Sequence, residues 1–69
     1  MEMTLSLPRL VDEDEAAQFL GKSVAWMQRA RALRQGPRFA KLGHHVRYRA
    51  EDLDAYVRSN MVDPIDSVA

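Results

Sequence analysis

The sequence contains no cysteine and no long apolar segment. Without cysteine, a disulfide framework and a zinc site built from thiolates are excluded. No apolar run approaches the roughly 20 residues of a transmembrane helix, and the N-terminal residues MEMTLSLP lack the basic start and apolar core of a signal peptide. At 69 residues the chain predicts one small domain without room for a large substrate pocket. We therefore expect a soluble, cytoplasmic protein.

Acidic residues are absent from the middle of the chain. Between Lys22 and Arg49 the sequence has eight Lys or Arg residues, two His residues and no Asp or Glu. All ten acids lie in residues 2–15 and 51–66, so the net charge of zero combines a middle of +8 with flanks of −8. Such a basic block is typical of a nucleic-acid-binding surface, because phosphates attract Lys and Arg whatever the base sequence. The alternative is a solvated charged surface, but such surfaces usually mix both signs.

A first helix is predicted between Asp12 and Gly21. Asp12 is a favourable N-cap residue, and Glu15 three positions later completes a capping-box pattern. We expect a hydrophobic staple between Val11 and Ala16. Apolar residues at helical spacing define one buried stripe, which consists of Ala16, Ala17, Phe19 and Leu20. The acids of the first turn are accounted for by the helix dipole.

A second helix is predicted to begin directly after a short turn. Gly21 and Lys22 form this turn, and Ser23 is the expected N-cap of a helix over residues 24–33. One side of its helical wheel carries Trp26, Met27, Ala30 and Leu33. The opposite side carries Ala25, Gln28, Arg29 and Ala32. On that side, the small residues permit close approach, and an amide and a guanidinium are suited to contact base edges.

The periodicity changes after residue 37. Residues 38–42 and 45–49 flank a Gly43-His44 turn and predict a β-hairpin, in which Arg47 and Arg49 point to the outer face. A third helix is predicted over residues 51–59, and residues 10–11 form either a short strand or an anchoring contact. The predicted core residues are Phe19, Leu20, Met27, Leu42, Leu53, Tyr56 and Val57, with Trp26 in the core or at its edge. The imperfect alternation of the first strand leaves open whether Phe39 or Leu42 points inward. We expect the ring of Tyr48 to pack inward, with its hydroxyl toward a phosphate.

These segments resemble one family of small proteins. The runs EAAQFLG (15–21), KLGHHVRYR (41–49) and EDLDAYV (51–57) resemble the MerR-like winged-helix domains of excisionases and AlpA-type prophage regulators. The resemblance covers residues 9–58. The sequence departs from many relatives at Lys22, where they have a small apolar residue, at Trp26, where they have a small polar residue, and at His44-His45, where they have Arg.

The resemblance implies a fold and a domain organisation. The fold would be mainly α with a small β-hairpin, that is, a winged helix-turn-helix with a two-stranded wing and a C-terminal packing helix. Residues 1–8 would form a flexible leader, residues 9–59 the DNA-binding domain and residues 60–69 a flexible acidic tail. The second helix would enter the major groove of double-stranded DNA, and the wing would reach the adjacent minor groove or its phosphates.

The resemblance also implies a function in a mobile genetic element of bacterial or phage origin, near the nucleoid. An excisionase, or recombination directionality factor, binds and bends attachment-site DNA and biases an integrase, a tyrosine or serine recombinase, towards excision. Other copies of the chain on adjacent DNA sites are further expected partners. One alternative is an AlpA-type transcriptional regulator that binds a promoter. A second is a protein-interaction module that uses the basic surface on an acidic partner.

The candidate DNA-binding residues form two groups. The recognition-helix group consists of Lys22, Ser23, Ala25, Gln28, Arg29 and Arg31. The group on the wing and its flank consists of Arg34, Arg38, Lys41, His44, His45, Arg47 and Arg49. Gln28 and Arg29 are the expected readers of bases, and the other cations are expected to contact phosphates. For each cation the alternative role is solvated surface, and for Ser23 it is helix capping alone.

Other kinds of site are not predicted. His44 and His45 are adjacent in an extended strand, so their side chains point to opposite faces, and no third metal ligand lies at a favourable spacing. The sequence has no nucleophile with a partnered base and no glycine-rich phosphate loop. We therefore predict no metal, no cofactor and no enzymatic activity.

Overall fold

The computed structural model describes residues 9–64. In chain order they form β1 (Leu10–Val11), α1 (Glu13–Leu20), α2 (Val24–Ala32), β2 (Ala40–Leu42), β3 (His45–Arg49) and α3 (Ala50–Ser59). Three helices with a small antiparallel sheet confirm the predicted winged helix-turn-helix. The predicted leader and the end of the predicted tail lie outside the described residues. None of the helices within residues 9–64 is long and apolar enough to cross a membrane.

Both helices of the helix-turn-helix begin at their predicted caps. The carboxylate of Asp12 accepts a hydrogen bond from the backbone N–H of Glu15 at 2.8 Å. The hydroxyl of Ser23 accepts one from the backbone N–H of Trp26 at 3.0 Å. Gly21 ends α1 in the left-handed conformation, with φ of 69°, which glycine adopts without steric cost. Because this connection is so short, α2 packs directly against α1.

The sheet has three antiparallel strands in the order β1-β3-β2. Leu42 faces His45 across the hairpin, so the turn has two residues, and Gly43 at its first position has φ of 66°. Residues 10–11 form a strand rather than a simple anchoring contact, since they pair with residues 48–49 of β3. Strand β3 of the wing therefore pairs on its other side with β1, near the start of the described residues.

The core lies where α1, α2, α3 and β3 meet. Its buried residues are Val11, Ala16, Ala17, Met27, Tyr48 and Leu53, and Leu20, Val24, Trp26 and Val46 pack against them. The predicted core positions of Met27 and Leu53 and the inward ring of Tyr48 are confirmed, as is the place of Trp26 at the core edge. The small side chains of the two alanines permit α1 to approach its neighbours closely.

The prediction that Phe19 and Leu42 are core residues is wrong. Phe19 is 60% exposed, because the buried side of α1 is centred on its two alanines and Leu20, and the helical spacing of about 100° per residue places position 19 beyond its edge. Leu42 is 52% exposed because the register pairs it with His45, on the face opposite Tyr48. The ring centroid of Phe39 lies 6.2 Å from that of Tyr48, but Phe39 is also 44% exposed, so neither Leu42 nor Phe39 is fully buried.

Two further apolar residues lie outside the core for reasons of helix geometry. Val57 is 37% exposed, because α3 is rotated so that Asp52 is buried beside Leu53. Leu33, which the helical wheel placed on the buried side of α2, is exposed because the helix ends at Ala32. The core assignment of Val57 is therefore also wrong.

Candidate nucleic-acid interface

The outer side of α2 is the first part of the candidate interface. Its exposed residues are Ala25, Gln28, Arg29 and Ala32, as the helical wheel predicts. They are presented outward because Met27 and Ala30 on the opposite side are buried. The guanidinium of Arg29 has no ion-pair partner among residues 9–64. Two small residues and two hydrogen-bonding side chains thus share one accessible helix face.

A depression joins this helix face to the wing. It is lined by Gln28, Arg31, Ala32, Phe39, Lys41 and Val46, which come from α2, from the residue before β2, and from β2 and β3. Lys41 lies on this side because the register pairs it with Val46. The structure therefore brings three of the predicted contact residues, Gln28, Arg31 and Lys41, to the same concave surface.

Lys22 lies at the N-terminal end of α2. Its Nζ is 5.0 Å from the centroid of the Trp26 ring, a cation–π distance, and the side chain remains exposed. The ring of Trp26 in turn lies 6.5 Å from the ring of Tyr56 in α3. The ammonium group is thereby held near the start of α2, where the backbone N–H groups favour an anion.

The remaining exposed candidate residues lie in the chain between the end of α2 and the wing tip. Arg34 follows α2, and Arg38, which is exposed, has its Nη1 4.0 Å from Oδ1 of Asp52. His44 and His45 are exposed at the wing tip. Across residues 9–64 there is no group of three or more His, Cys, Asp or Glu side chains placed to hold a metal ion.

Arg31 is bound within the fold. Its guanidinium forms an ion pair with Glu13 of α1, donates to the hydroxyl of Tyr48 at 3.3 Å and lies 5.7 Å from the ring of Phe39. These contacts join α1, α2 and the wing. The prediction that the Tyr48 hydroxyl faces a phosphate is wrong, because Tyr48 is fully buried and its hydroxyl accepts the hydrogen bond from Arg31.

Arg49 is bound to the first turn of α3. Its Nε and Nη2 donate to the two carboxylate oxygens of Asp52 at 2.6 Å and 3.0 Å, and its Nη1 lies 3.0 Å from Glu51. These hydrogen bonds from Arg49 lower the pKa of Asp52, with the positive charges of Arg49 and Arg38 acting in the same direction, whereas burial acts against them. The same pairing raises the pKa of Arg49. Arg49 therefore fastens the wing to α3.

In the folded structure, acids from the sequence before and after the basic block (residues 22–49) lie beside cations of that block. Arg47, predicted to point outward, is half-buried and donates to the carbonyl of Val46 at 2.8 Å. It lines a second depression together with His44 at the wing tip and with Glu13 and Asp14 of α1. Glu13 and Asp52, which the sequence assigns to helix N-termini, each neutralise an arginine of the middle block. Of these two ion pairs, only Arg49–Asp52 could have been predicted from the sequence, because its residues are three positions apart.

Comparison with known families agrees with this geometry. A family model described as a helix-turn-helix domain matches residues 10–61, which include every helix and strand of the structure. A comparison with curated proteins gives no match.

Proposed function

Because the chain belongs to the helix-turn-helix domain family, we propose that it is an excisionase, a recombination directionality factor that binds attachment-site DNA of a mobile genetic element. The family itself supports sequence-specific DNA binding by a small protein. The observation that carries the proposal is the exposed face of α2 with Gln28 and Arg29, next to a concave surface that Gln28 and Lys41 line. A helix face with small residues at its centre fits the major groove of DNA, into which a helix of this width can enter.

We assign different roles to the exposed polar residues. Gln28 and Arg29, on the outer side of α2, read base edges. The phosphate contacts come from Lys22, Arg34, Arg38 and Lys41, with His44 and His45 at the wing tip. Arg31, Arg47 and Arg49 are engaged within the fold, so we give them a supporting role in place of direct contact. Ser23 caps α2 and leaves its first N–H groups directed toward the DNA.

An excisionase also has protein partners, which we propose are an integrase and further copies of the chain. The exposed acids near each end of the described chain, such as Glu15 and Asp63, are suited to meet the basic surface of a neighbouring copy in a head-to-tail arrangement. Cooperative binding to adjacent sites should then weaken in the variant with Asp63→Asn and Asp66→Asn. If cooperativity is unchanged, the acids of the predicted tail (residues 60–69) do not take part in this arrangement.

A footprinting and gel-shift series tests the proposed function. The DNA fragments are the attachment region of the element and the promoter of this gene, with competitor DNA and with Arg29→Ala as the matched control for specific binding. Several protected, phased sites beside the integrase core, together with stimulated excision by the integrase, would support the excisionase. Protection confined to the promoter would identify a transcriptional regulator instead, and no protection on either fragment would favour a protein partner.

A further inference from the structure

The side chain of Gln28 is held by an acid from the other helix. Its Nε2 donates to Oε1 of Glu13 at 3.4 Å, across the short connection between α1 and α2. The second carboxylate oxygen of Glu13 is bound to the guanidinium of Arg31, which also donates to the buried hydroxyl of Tyr48. Glu13 is thus fixed through both of its oxygens, and it connects the core to an exposed residue of the interface.

The charge of Glu13 determines which way the side-chain amide of Gln28 is oriented, that is, whether its NH₂ group or its oxygen faces the carboxylate. An ionised carboxylate has only acceptors, so it is compatible with the NH₂ group of the amide and repels the amide oxygen. The N–H that lies trans to the amide oxygen can bond the carboxylate. The amide oxygen and the other N–H then remain free as one edge, with an acceptor and a donor side by side.

This edge matches one base in the major groove. Adenine presents an acceptor at N7 and a donor at N6, whereas guanine presents two acceptors at N7 and O6. An amide with a fixed orientation pairs with adenine through two hydrogen bonds, and its oxygen would face the O6 acceptor of guanine. Arg29 differs, because its guanidinium has only donors and suits guanine.

We propose that Glu13 is a positioning residue that orients Gln28 to read adenine at one position of the DNA site. This inference rests on the proposed DNA binding, and it extends recognition to a residue of α1. It accounts for an acid placed beside a DNA-contacting surface, where its charge alone would weaken the attraction to phosphates.

Selection of binding sites from random DNA tests this assignment. The wild type should select adenine at one position, and Gln28→Ala should lose that preference, by about five- to 150-fold for a bidentate contact. Glu13→Gln removes the charge that fixes the amide, so the preference should fall several-fold at the same position. Asp14→Asn is the matched control, because it removes an equal charge from the same helix turn, at an exposed side chain. It should strengthen binding to all sequences slightly and leave the adenine preference unchanged.

A measurement on the unmodified chain covers the case in which Glu13→Gln does not fold. In wild-type protein, the two amide protons of Gln28 should differ in chemical shift by more than those of Gln18 and Gln35, whose side chains make no hydrogen bond within residues 9–64. Equal separations would overturn the inference. So would a folded Glu13→Gln variant that keeps the full adenine preference. Because random DNA is used, these results do not depend on whether the natural sites lie in an attachment region or in a promoter. The footprinting experiment decides that separate question.

Discussion

Gly21 and Arg34 occupy equivalent positions at the C-terminal ends of α1 and α2. The backbone N–H of each residue donates to the carbonyl three residues earlier, at 3.1 Å for Gly21 and at 3.0 Å for Arg34. In both cases the N–H of the following residue donates to the carbonyl five residues before it, at 2.8 Å. Both residues are left-handed, with φ of 69° and 57°. Glycine is the usual residue here, because a side chain in this conformation costs roughly 1–2 kcal/mol. The end of α2 therefore carries an exposed cation at a conformational cost that α1 avoids.

The variant Arg34→Gly should be more stable and bind DNA more weakly. Relief of the left-handed strain, reduced by the greater freedom of unfolded glycine, should raise the free energy of unfolding by about 0.5–1 kcal/mol. Loss of one phosphate contact should make the negative slope of log K against log salt shallower by about 0.9. Thermal unfolding and DNA titrations at several salt concentrations measure the two effects. An unchanged salt slope would show that Arg34 does not contact a phosphate.

Gly21→Ala is the converse test of the same geometry. A Cβ atom at Gly21 meets no atom within 4 Å, so only the left-handed backbone opposes the substitution. We expect a loss of about 1 kcal/mol in the free energy of unfolding, with unchanged salt dependence of DNA binding. A neutral effect on stability would contradict the strain argument for both positions.

The pair between Arg49 and Asp52 should contribute more to stability than a surface ion pair. Asp52 is buried and accepts two hydrogen bonds from Arg49, so Asp52→Asn leaves one guanidinium donor facing an NH₂ group and the other with only a neutral acceptor. We expect the unfolding midpoint to fall by roughly 5 °C. Asp54→Asn is the control, because its pair with Arg58 is exposed and should contribute little. Equal effects of the two variants would contradict this ranking.

The advantage of wild type over Asp52→Asn should depend on pH. Arg49 lowers the pKa of Asp52 below its ordinary value of 3.8, so the folded state favours the ionised carboxylate. The resulting stability is fully present above the ordinary pKa and is lost as the pH falls through the lower, folded-state pKa. Arg49 stays charged throughout, since its own pKa is raised. Denaturant unfolding between pH 7 and pH 2 should show a constant difference down to about pH 5 and a shrinking one below about pH 4. A difference as large at pH 2 as at pH 7 would contradict the assignment.

The elements of the fold that could be predicted from the sequence are those fixed by neighbouring residues. Asp12 and Ser23 mark the starts of α1 and α2, because a cap acts on an N–H three residues away. Gly43 marks a two-residue turn for a similarly local reason. The exposed side of α2 followed from helical spacing alone. What the spacing could not supply was the register of the first wing strand, on which the exposure of Leu42 depends.

The candidate site was less predictable, because ion pairing depends on contacts between distant segments. Arg29 and Arg31 differ little in sequence context, yet Arg31 meets Glu13, 18 residues earlier, whereas Arg29 remains exposed. The basic block contains no acid along the chain. Folding brings Glu13 and Asp52 into contact with it, so only some of its cations remain available for a ligand.

Arg31→Met should destabilise the fold rather than alter base preference. The substitution leaves the carboxylate of Glu13 partly buried without its counter-ion and removes a hydrogen bond from the hydroxyl of Tyr48. We expect a loss of about 1–3 kcal/mol in the free energy of unfolding. Urea unfolding measures it, with Arg34→Met as the matched control at an exposed arginine. A stable Arg31→Met variant that loses DNA affinity would instead return Arg31 to the set of direct contacts.

Arg29→Ala should leave the fold intact and reduce sequence discrimination. Its side chain is exposed, without an ion-pair partner in residues 9–64, and alanine favours the helix. A bidentate contact to guanine accounts for about 1–3 kcal/mol of discrimination, so affinity for the specific site should fall about five- to 150-fold. Affinity for random DNA should fall less, because the other cations still neutralise phosphates. Arg58→Ala in α3 removes an equal charge that is already paired with Asp54, and it should change neither affinity appreciably. If Arg29→Ala weakens binding to the specific site and to random DNA to the same extent, Arg29 contacts a phosphate, and reading of the site depends on Gln28 and the shape of the groove.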